Sequence, residues 1–338
     1  MTGATSAGHA NESVRAGRAW ILLSFVMAAC GGKLDAGWDE PKGMLPVDDR
    51  NPIVLCNDGY YDNWQGEYAM LLSSTGGPPL AGIVVNDSGP WPELDDNMAG
   101  WRQMVDAARE SGLRGIPDPL ASTGPVLVRP SDGNIESTVP NRSEGARFII
   151  DASRRLSLPY RPLVVVTGGR LTDLADAYLV DPTLPERVVV VSSLGSTTTD
   201  GGEMGPPNGE MDTWADVVVT HRFRYVQVSA FYDQKTDVTD SLVSQFPNNA
   251  FTSWIGSKYA NVWDYGPASD QVGVLAVAIA SFVSSVVRAE QQDVGDDDVP
   301  LLSGDPDGSV WLVTDVRGAV GTARLWDMLL DPTTFSSD

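Results

Sequence analysis

Residues 52–72, PIVLCNDGYYDNWQGEYAMLL, change their hydrophobic pattern twice within a short distance. Residues 52–55 are an apolar run long enough for one buried strand. Residues 56–63 contain Gly, Asn and two Asp, which is the composition of a turn. From Trp64 the apolar residues recur at helical spacing, and a second apolar run follows at residues 82–85. The stretch therefore predicts a βαβ unit with two parallel strands.

Acidic and amide side chains follow both predicted strands. Asp58 and Asp62 lie in the first turn, and Asn86 and Asp87 end the second run. Ligands of such α/β units bind beyond the carboxyl ends of the strands. Two nearby carboxylates repel each other unless a cation lies between them, and calcium or magnesium prefers oxygen ligands. The pattern predicts a cation site at this edge of the sheet.

The first acidic turn resembles the signature of the inosine-uridine nucleoside hydrolase family, D-x-D-P-G-x-D-D after a strand. Residues 56–63, CNDGYYDN, occupy those eight positions. Asp58 and Asp62 match the two middle aspartates. Cys56 and Asn63 stand where the family has the first and last Asp.

Three later segments extend the resemblance in the same order. Residues 163–177, LVVVTGGRLTDLADA, are similar to the family's strand and Gly-rich turn, in which the carbonyl at the Thr167 position binds calcium. Residues 208–216, NGEMDTWAD, are similar to the Ala-Glu-Phe-Asn segment that holds the sugar hydroxyls. Residues 260–278 are similar to the family's His-Asp segment, with Asp270 as the better match for the ligand and Asp264 as the alternative.

The resemblance implies a set of site residues in this chain. Asp58 would be a metal ligand and the catalytic base, and Asn63, the Thr167 carbonyl and Asp270 would complete a calcium (Ca2+) site. The implied substrate-binding residues are Asp62, Glu210 and Asp212, and Asn86, Asp87 and Asn208 are further candidates for substrate binding. For Glu210 and Asp212, a purely structural alternative is a pair of acids at a helix N-terminus.

The segment around Asp270 lacks the family's histidine, which would protonate the leaving base. Ser269, not His, precedes Asp270, and a serine cannot donate a proton as an imidazolium does. His9 and His221 are the two histidines of the chain. His221 follows an apolar run at residues 217–219 that predicts a strand, and it could act as the acid only if the fold brings it near.

These observations predict an α/β fold, with an open, mostly parallel, Rossmann-like sheet and helices on both faces. Periodicity predicts helices at 97–111, 143–155 and 319–330, strands at 163–166 and 188–191, and a core helix at 275–287. The expected function is calcium-dependent hydrolysis of N-ribosyl bonds of nucleoside-type substrates. The alternative is a non-catalytic nucleoside- or sugar-binding lipoprotein with the same fold.

The charge balance excludes some partners. The 338 residues include 45 acidic and 23 basic side chains, for a net charge of -22. Such a chain is unsuited to bind nucleic-acid backbones or an anionic membrane surface. The sequence leaves open whether the protein is a homo-oligomer.

The first residues resemble a bacterial lipoprotein signal. Arg15 and Arg18 precede an apolar stretch at 19–29, too short to span a bilayer, and Cys30 follows directly. We expect a signal segment at 1–30, a Gly-, Asp- and Pro-rich tether at 31–50 and the hydrolase-like domain at 51–338. The alternatives are an ordinary secretory signal or a short buried helix. The lipoprotein pattern predicts an extracytoplasmic protein, attached to the cell envelope through lipid on Cys30.

Replacing Cys30 with Ala tests this prediction. Because lipid would be carried by the Cys30 thiol, C30A should abolish incorporation of labelled lipid and move the protein from the membrane to the soluble fraction. The folded domain should keep its melting temperature. Unchanged membrane fractionation of C30A would contradict the lipoprotein assignment.

Overall fold

The computed structural model describes residues 45–59, 64–87, 93–193, 195–198, 208–228, 239–261, 283–292 and 300–336. The strands are Ile53–Asn57 (β1), Leu80–Val85 (β2), Pro119–Ala121 (β3), Leu163–Thr167 (β4), Val188–Ser193 (β5), Thr197–Thr198 (β6), Arg224–Val228 (β7), Val283–Gln292 (β8), Leu301–Gly304 (β9) and Val310–Val316 (β10). The α-helices are Trp64–Ser74 (α1), Leu94–Glu110 (α2), Glu144–Leu156 (α3), Thr172–Val180 (α4), Thr213–Arg222 (α5), Asp240–Val243 (α6), Ala250–Asn261 (α7) and Gly318–Leu330 (α8).

The strands form one sheet in the order β3-β2-β1-β4-β5-β7-β10-β8-β9-β6. β8 runs antiparallel to both of its neighbours, and the other strand pairings of the described residues are parallel. The predicted strands of the first βαβ unit, together with β4 and β5, lie side by side in this order, next to the edge strand β3. The prediction of an open, mostly parallel α/β sheet is confirmed.

Alternating side chains of the central strands supply two separate apolar cores. In β1, Ile53 and Leu55 pack into one core with residues of α1, α2, α7 and α8. Val54 and Cys56 of the same strand face the other core, with residues of α3, α4 and α5. Strands buried on both faces explain the continuous apolar runs in the sequence, and helices cover both faces as predicted.

Two predicted elements were wrong. The apolar run at 217–219 belongs to helix α5, because the parallel strands β5 and β7 are joined by a crossover, which is usually a helix. Residues 283–287, part of the predicted core helix at 275–287, lie in β8, where they pair with β10. Short apolar runs do not distinguish a buried strand from a buried helix.

The folded domain begins before residue 51. Leu45 and Val47, at the end of the predicted tether, are buried in the core that contains α1 and α2. Residues 1–30, including Cys30, lie outside the described residues. No helix in the described ranges combines the length and hydrophobicity that crossing a bilayer requires.

A buried ion pair joins helices that are distant in sequence. Lys258 of α7 donates to the Glu67 carboxylate of α1 at 2.7 Å. The two side chains are 5% and 0% exposed. The Lys258 ammonium also lies 5.3 Å and 5.2 Å from the ring centroids of Trp64 and Trp254. The pair therefore ties α7 to the first βαβ unit.

Lys258→Met should lower the free energy of unfolding by about 3–5 kcal/mol, because it removes the positive charge beside a buried carboxylate. Urea unfolding measures this loss. The matched control is Asp118→Asn, which breaks the exposed pair between Arg109 and Asp118, with an N–O distance of 2.6 Å. The control should cost less than about 1 kcal/mol. Equal losses in both variants would contradict a structural role for the buried pair.

Candidate functional site

The candidate site lies where β1, β2 and β4 end. The amide of Asn86 donates to the Asn57 carbonyl at 2.9 Å, and the amide of Gly168 donates to the Cys56 carbonyl at 3.2 Å. These bonds keep the ends of β1, β2 and β4 in register at one edge of the sheet. Asp58 follows β1 directly, Asn86 follows β2, and Thr167 ends β4. The structure thus brings Asp58, Asn86 and Thr167 to one edge.

Gly169 allows a close approach at this edge. A Cβ atom on Gly169 would lie 2.9 Å from Asn86 Oδ1 and 3.2 Å from the Asp58 carboxyl carbon. Asp58 and Asn86 are 8% and 1% exposed. The amide of Gly59 donates to Asp58 Oδ1 at 2.7 Å, and the Trp101 indole donates to the Asp58 carbonyl at 3.1 Å. The Asp58 carboxylate is therefore held in a small, nearly closed space.

Asn86 presents a buried acceptor. Its Nδ2 donates to the Arg170 carbonyl at 3.2 Å and contacts Cys56 Sγ at 3.6 Å. No donor from the described residues reaches Asn86 Oδ1. A buried carbonyl oxygen without a hydrogen bond is unfavourable, so this position suits a ligand hydroxyl or a cation. Asp87, the next residue, is half-buried.

Cys56 stands where the family signature has an aspartate, so this position lacks a carboxylate. In the structure, a carboxylate from another element lies beside Cys56. Cys56 Sγ lies 3.9 Å from Asp173 Oδ2, on α4. Burial and this carboxylate raise the pKa of the Cys56 thiol, which therefore stays protonated. Asp173 was not predicted as a site residue. Its signal in the sequence is an acid just after the Gly-rich turn of residues 167–172.

Asp173 belongs to a buried network that joins β3, α3 and α4. Asp173 Oδ1 accepts from Ser122 at 2.5 Å and from Ser143 at 3.0 Å. The Ser143 hydroxyl shares its one proton between Asp173 and Asp176, which lies 2.7 Å away, and it caps α3 by accepting from the Ala146 amide at 3.2 Å. Burial raises the pKa of Asp173. These bonds fix Asp173 rather than leaving it to a ligand.

The predicted hydroxyl-binding residues of the third segment lie just before α5. Asn208 donates to the Ser193 carbonyl at 2.6 Å, and Glu210 is exposed. Asp212 caps α5 by accepting from the Ala215 amide at 3.0 Å, and it also accepts from Thr172 at 2.6 Å. For Asp212 the geometry is that of the structural alternative, a helix N-cap. The substrate contacts of all three residues stay predictions.

Several predicted residues fall outside the described residues, namely Asp62, Asn63, Asp264, Ser269 and Asp270. Within the described ranges, no three His, Cys, Asp or Glu side chains converge as a metal site. Asp58, the Asn86 amide oxygen and the Thr167 carbonyl are nonetheless the oxygen donors that a hard cation prefers. The donor types therefore fit the implied calcium.

His221 does not belong to this edge. It lies in the last turn of α5, about 13 Å along the helix from the Asp212 cap at 1.5 Å per residue. Its Nδ1 contacts the Val217 carbonyl at 2.9 Å, and the side chain is exposed. The condition for a role of His221 as the acid, that the fold brings it near the site, is therefore not met.

A second buried carboxylate, Asp216 of α5, was missed by sequence analysis. Its Oδ2 accepts from Ser196 at 2.5 Å, and Gln291 Nε2 lies 3.4 Å away. No donor among the described residues reaches its Oδ1. Burial raises the pKa of Asp216 to about 7, and the nearby charge of Asp212 adds to this rise. The hydrogen bond from Ser196 acts in the opposite direction and lowers the pKa.

The fold is similar to that of solved nucleoside hydrolases. An inosine-uridine preferring nucleoside hydrolase from Bacillus anthracis aligns with a TM-score of 0.60 and 16% identity, over 82% of this chain and 99% of that one. A purine-preferring ribonucleoside hydrolase from Gardnerella vaginalis aligns with a TM-score of 0.57 and 15% identity, over 84% and 100%. The type III effector XopQ, solved in complex with adenosine diphosphate ribose, aligns with a TM-score of 0.53 and 12% identity, over 86% and 96%.

Sequence comparison gave no match to a protein-family model or to a curated protein. At these low identities, the structural likeness shows the fold alone. The chain has a nucleoside hydrolase-like fold, as the resemblance implied.

Asp216 should make stability depend on pH. Its folded pKa lies above its ordinary value of 3.8, so the native state keeps a proton that the unfolded chain loses. The contribution of Asp216 to stability is therefore full below about pH 4 and falls as pH rises towards about 7. Relative to wild type, Asp216→Asn should gain a few kcal/mol across this range and then level off.

Urea unfolding of both proteins between pH 4 and 8 measures this difference. The exposed Asp151, changed to Asn, is the control and should follow the wild-type curve. A constant offset between wild type and Asp216→Asn at all pH values would contradict the raised pKa.

Proposed function

We propose that this protein hydrolyses N-ribosyl bonds of nucleoside-type substrates. The observation that supports this best is the meeting of Asp58, Asn86 and the turn after Thr167 at the carboxyl edge of the sheet. The nucleoside hydrolase-like fold supports it as well. Neighbours with this fold bear names that specify inosine, uridine or purine ribonucleosides as preferred substrates.

In this proposal Asp58 is the general base. Its carboxylate is nearly buried, and the Gly59 amide donates to one of its oxygens, which orients the carboxylate to take a proton from an attacking water. Asn86 Oδ1 accepts a hydrogen bond from a sugar hydroxyl. Bound calcium, held by Asp58, Asn63, the Thr167 carbonyl and Asp270, would acidify the water.

Hydrolysis of an N-ribosyl bond also needs a proton donor when the leaving base is a poor leaving group. The described edge brings no imidazole to the site, since His221 lies at the other end of α5. Proton donation to a poor leaving group contributes about a hundredfold or more to such reactions. We therefore propose that substrates whose leaving group departs without protonation react fastest.

Two observations favour the alternative, a non-catalytic binding protein. Cys56 replaces a carboxylate of the family signature, and the carboxylate of Asp212 is committed to the N-cap of α5. Binding through Asp58 and Asn86 would survive these changes. A neighbour of similar fold was solved with adenosine diphosphate ribose bound, so this alternative extends to ribosyl ligands in general. In both cases we propose an envelope location with lipid on Cys30.

Asp58→Asn should reduce hydrolysis of p-nitrophenyl riboside by about a hundredfold or more, because it removes the proton acceptor. Wild type should cleave this substrate faster than inosine. The control is Asp95→Asn, which changes an exposed acid in the first turn of α2 and should keep wild-type activity. Equal activity of Asp58→Asn and wild type would contradict the role of Asp58.

The same proteins separate the two hypotheses through calcium. Calcium should raise the melting temperature of wild type in a concentration-dependent manner, and Asp58→Asn should reduce this shift. Asn63→Asp should strengthen it by adding a carboxylate. A calcium shift without cleavage of either substrate would favour the binding protein. No shift in wild type or in Asn63→Asp would overturn the calcium proposal.

A further inference from the structure

Asp216, the buried acid of α5, has no positive partner among the described residues. It is 0% exposed, and none of the ion pairs within the described ranges includes it. The charged group that adds to the rise of its pKa is a second acid, Asp212. Buried charges in proteins are normally paired with an opposite charge or bound to a metal ion. Asp216 therefore needs a positive partner that the described side chains do not supply.

Three buried oxygens of this region have no hydrogen-bond partner within the described part of the chain. They are Asp216 Oδ1, Gln291 Oε1 and Thr220 Oγ1, on residues that are 0%, 6% and 2% exposed. Gln291 Nε2 lies 3.4 Å from Asp216 Oδ2, so these two side chains are neighbours. Thr220 follows Asp216 by four residues in α5, a spacing that puts both on one helix face with Cβ atoms about 5–6 Å apart. Buried oxygens without a partner are unfavourable, so a positively charged ligand would stabilise all three.

Hydrogen bonds fix the other polar atoms of this cluster. Ser196 Oγ donates to Asp216 Oδ2 at 2.5 Å, and Gln291 Nε2 donates to Ser196 Oγ at 3.2 Å. Ser196 is itself held by β7, because its amide donates to Gln227 Oε1 at 2.8 Å and its carbonyl accepts from Gln227 Nε2 at 2.6 Å. The carboxylate of Asp216 and the amide of Gln291 are therefore oriented before any ligand binds.

The cluster borders on space for water. Gln291 lines a cavity of about 260 Å³ beside α5, which has room for several water molecules. Arg129 and Arg222 line the same cavity, and Arg222 pairs with Glu136 at 2.8 Å. Because the positive side chains belong to the cavity and the negative one to the cluster, we place the ion at Asp216 and its remaining waters in the cavity.

We propose that Asp216, Gln291 and Thr220 bind a monovalent alkali cation, sodium or potassium. The single carboxylate balances a single positive charge, and the amide and hydroxyl oxygens replace part of the hydration shell of the ion. Calcium affinity rises with the number of charged ligands, so one carboxylate favours a monovalent ion over calcium. Binding here is independent of the hydrolase proposal, because it requires neither Asp58 nor the implied calcium.

Thermal unfolding of the full chain at pH 8 tests this proposal with sodium, potassium and choline chlorides at one ionic strength. At this pH the Asp216 carboxyl, with a pKa of about 7, is ionised in the absence of the ion. Choline is too large for the cluster, and it screens the net charge of -22 as the alkali ions do. At tenfold excess over its dissociation constant, sodium or potassium should raise the melting temperature by about 2–4 °C relative to choline, and the effect should saturate.

Variants assign the effect to this cluster. Asp216→Asn removes the charge and should abolish the difference between alkali ions and choline. Thr220→Val removes one ligand at nearly constant volume and should raise the half-saturating concentration by about threefold or more. The matched control is Thr322→Val, which removes another buried hydroxyl without a partner within the described residues, on α8, and should not change the response. Asp58→Asn should respond as wild type does, which separates this cluster from the strand-end site.

Four results would each overturn the proposal. They are equal melting temperatures of wild type in alkali and choline salts, an alkali effect that persists in Asp216→Asn, equal half-saturating concentrations in Thr220→Val and Thr322→Val, and loss of the response in Asp58→Asn. Equal melting temperatures would mean that water or a proton, and not an alkali cation, satisfies the oxygens of this cluster.

Discussion

The parallel pairing of β1 with β2 on one side and with β4 on the other is the constraint on which the rest of the structure depends. Parallel strands end at a common edge, so the residues after β1, β2 and β4 must meet there. The pairing also buries β1 on both faces, which requires a layer of helices on each. The pairing of β1 with its neighbours thus determines which side chains enter each of the two cores. It also brings Asp58 and Asn86 to the same edge of the sheet.

Buried polar groups distinguish this edge from an ordinary strand end. Cys56 brings no charge, yet Asp173 approaches it from α4 and is held by two serine hydroxyls from separate elements. Satisfied networks of this kind hold a single geometry. Asn86 Oδ1 in the same neighbourhood differs from Asp173, since no donor from the described residues reaches it. The contrast between fixed and unsatisfied oxygens is the physical reason to place a ligand at Asn86.

The helix α5 connects two parts of the molecule with different chemistry. Its N-terminus is capped by Asp212, which bonds to Thr172 beside the strand-end site. Trp214 and Val217 of this helix line a cavity, and Asp216 of the same helix is buried. Gln291 contacts the Asp216 network and lines the cavity as well.

The sequence by itself determined the fold class, because apolar runs, Gly-bearing turns and helical periodicity report local burial directly. It also determined Asp58, Asn86 and Thr167 as neighbours, since each follows or ends a parallel strand. Only the tertiary structure decided the rest. It made residues 217–219 a helix and 283–287 a strand, because a short apolar run suits either one. It also brought Asp173 to Cys56 and Arg129 to Trp214, pairs that are distant in sequence and meet only when the elements pack.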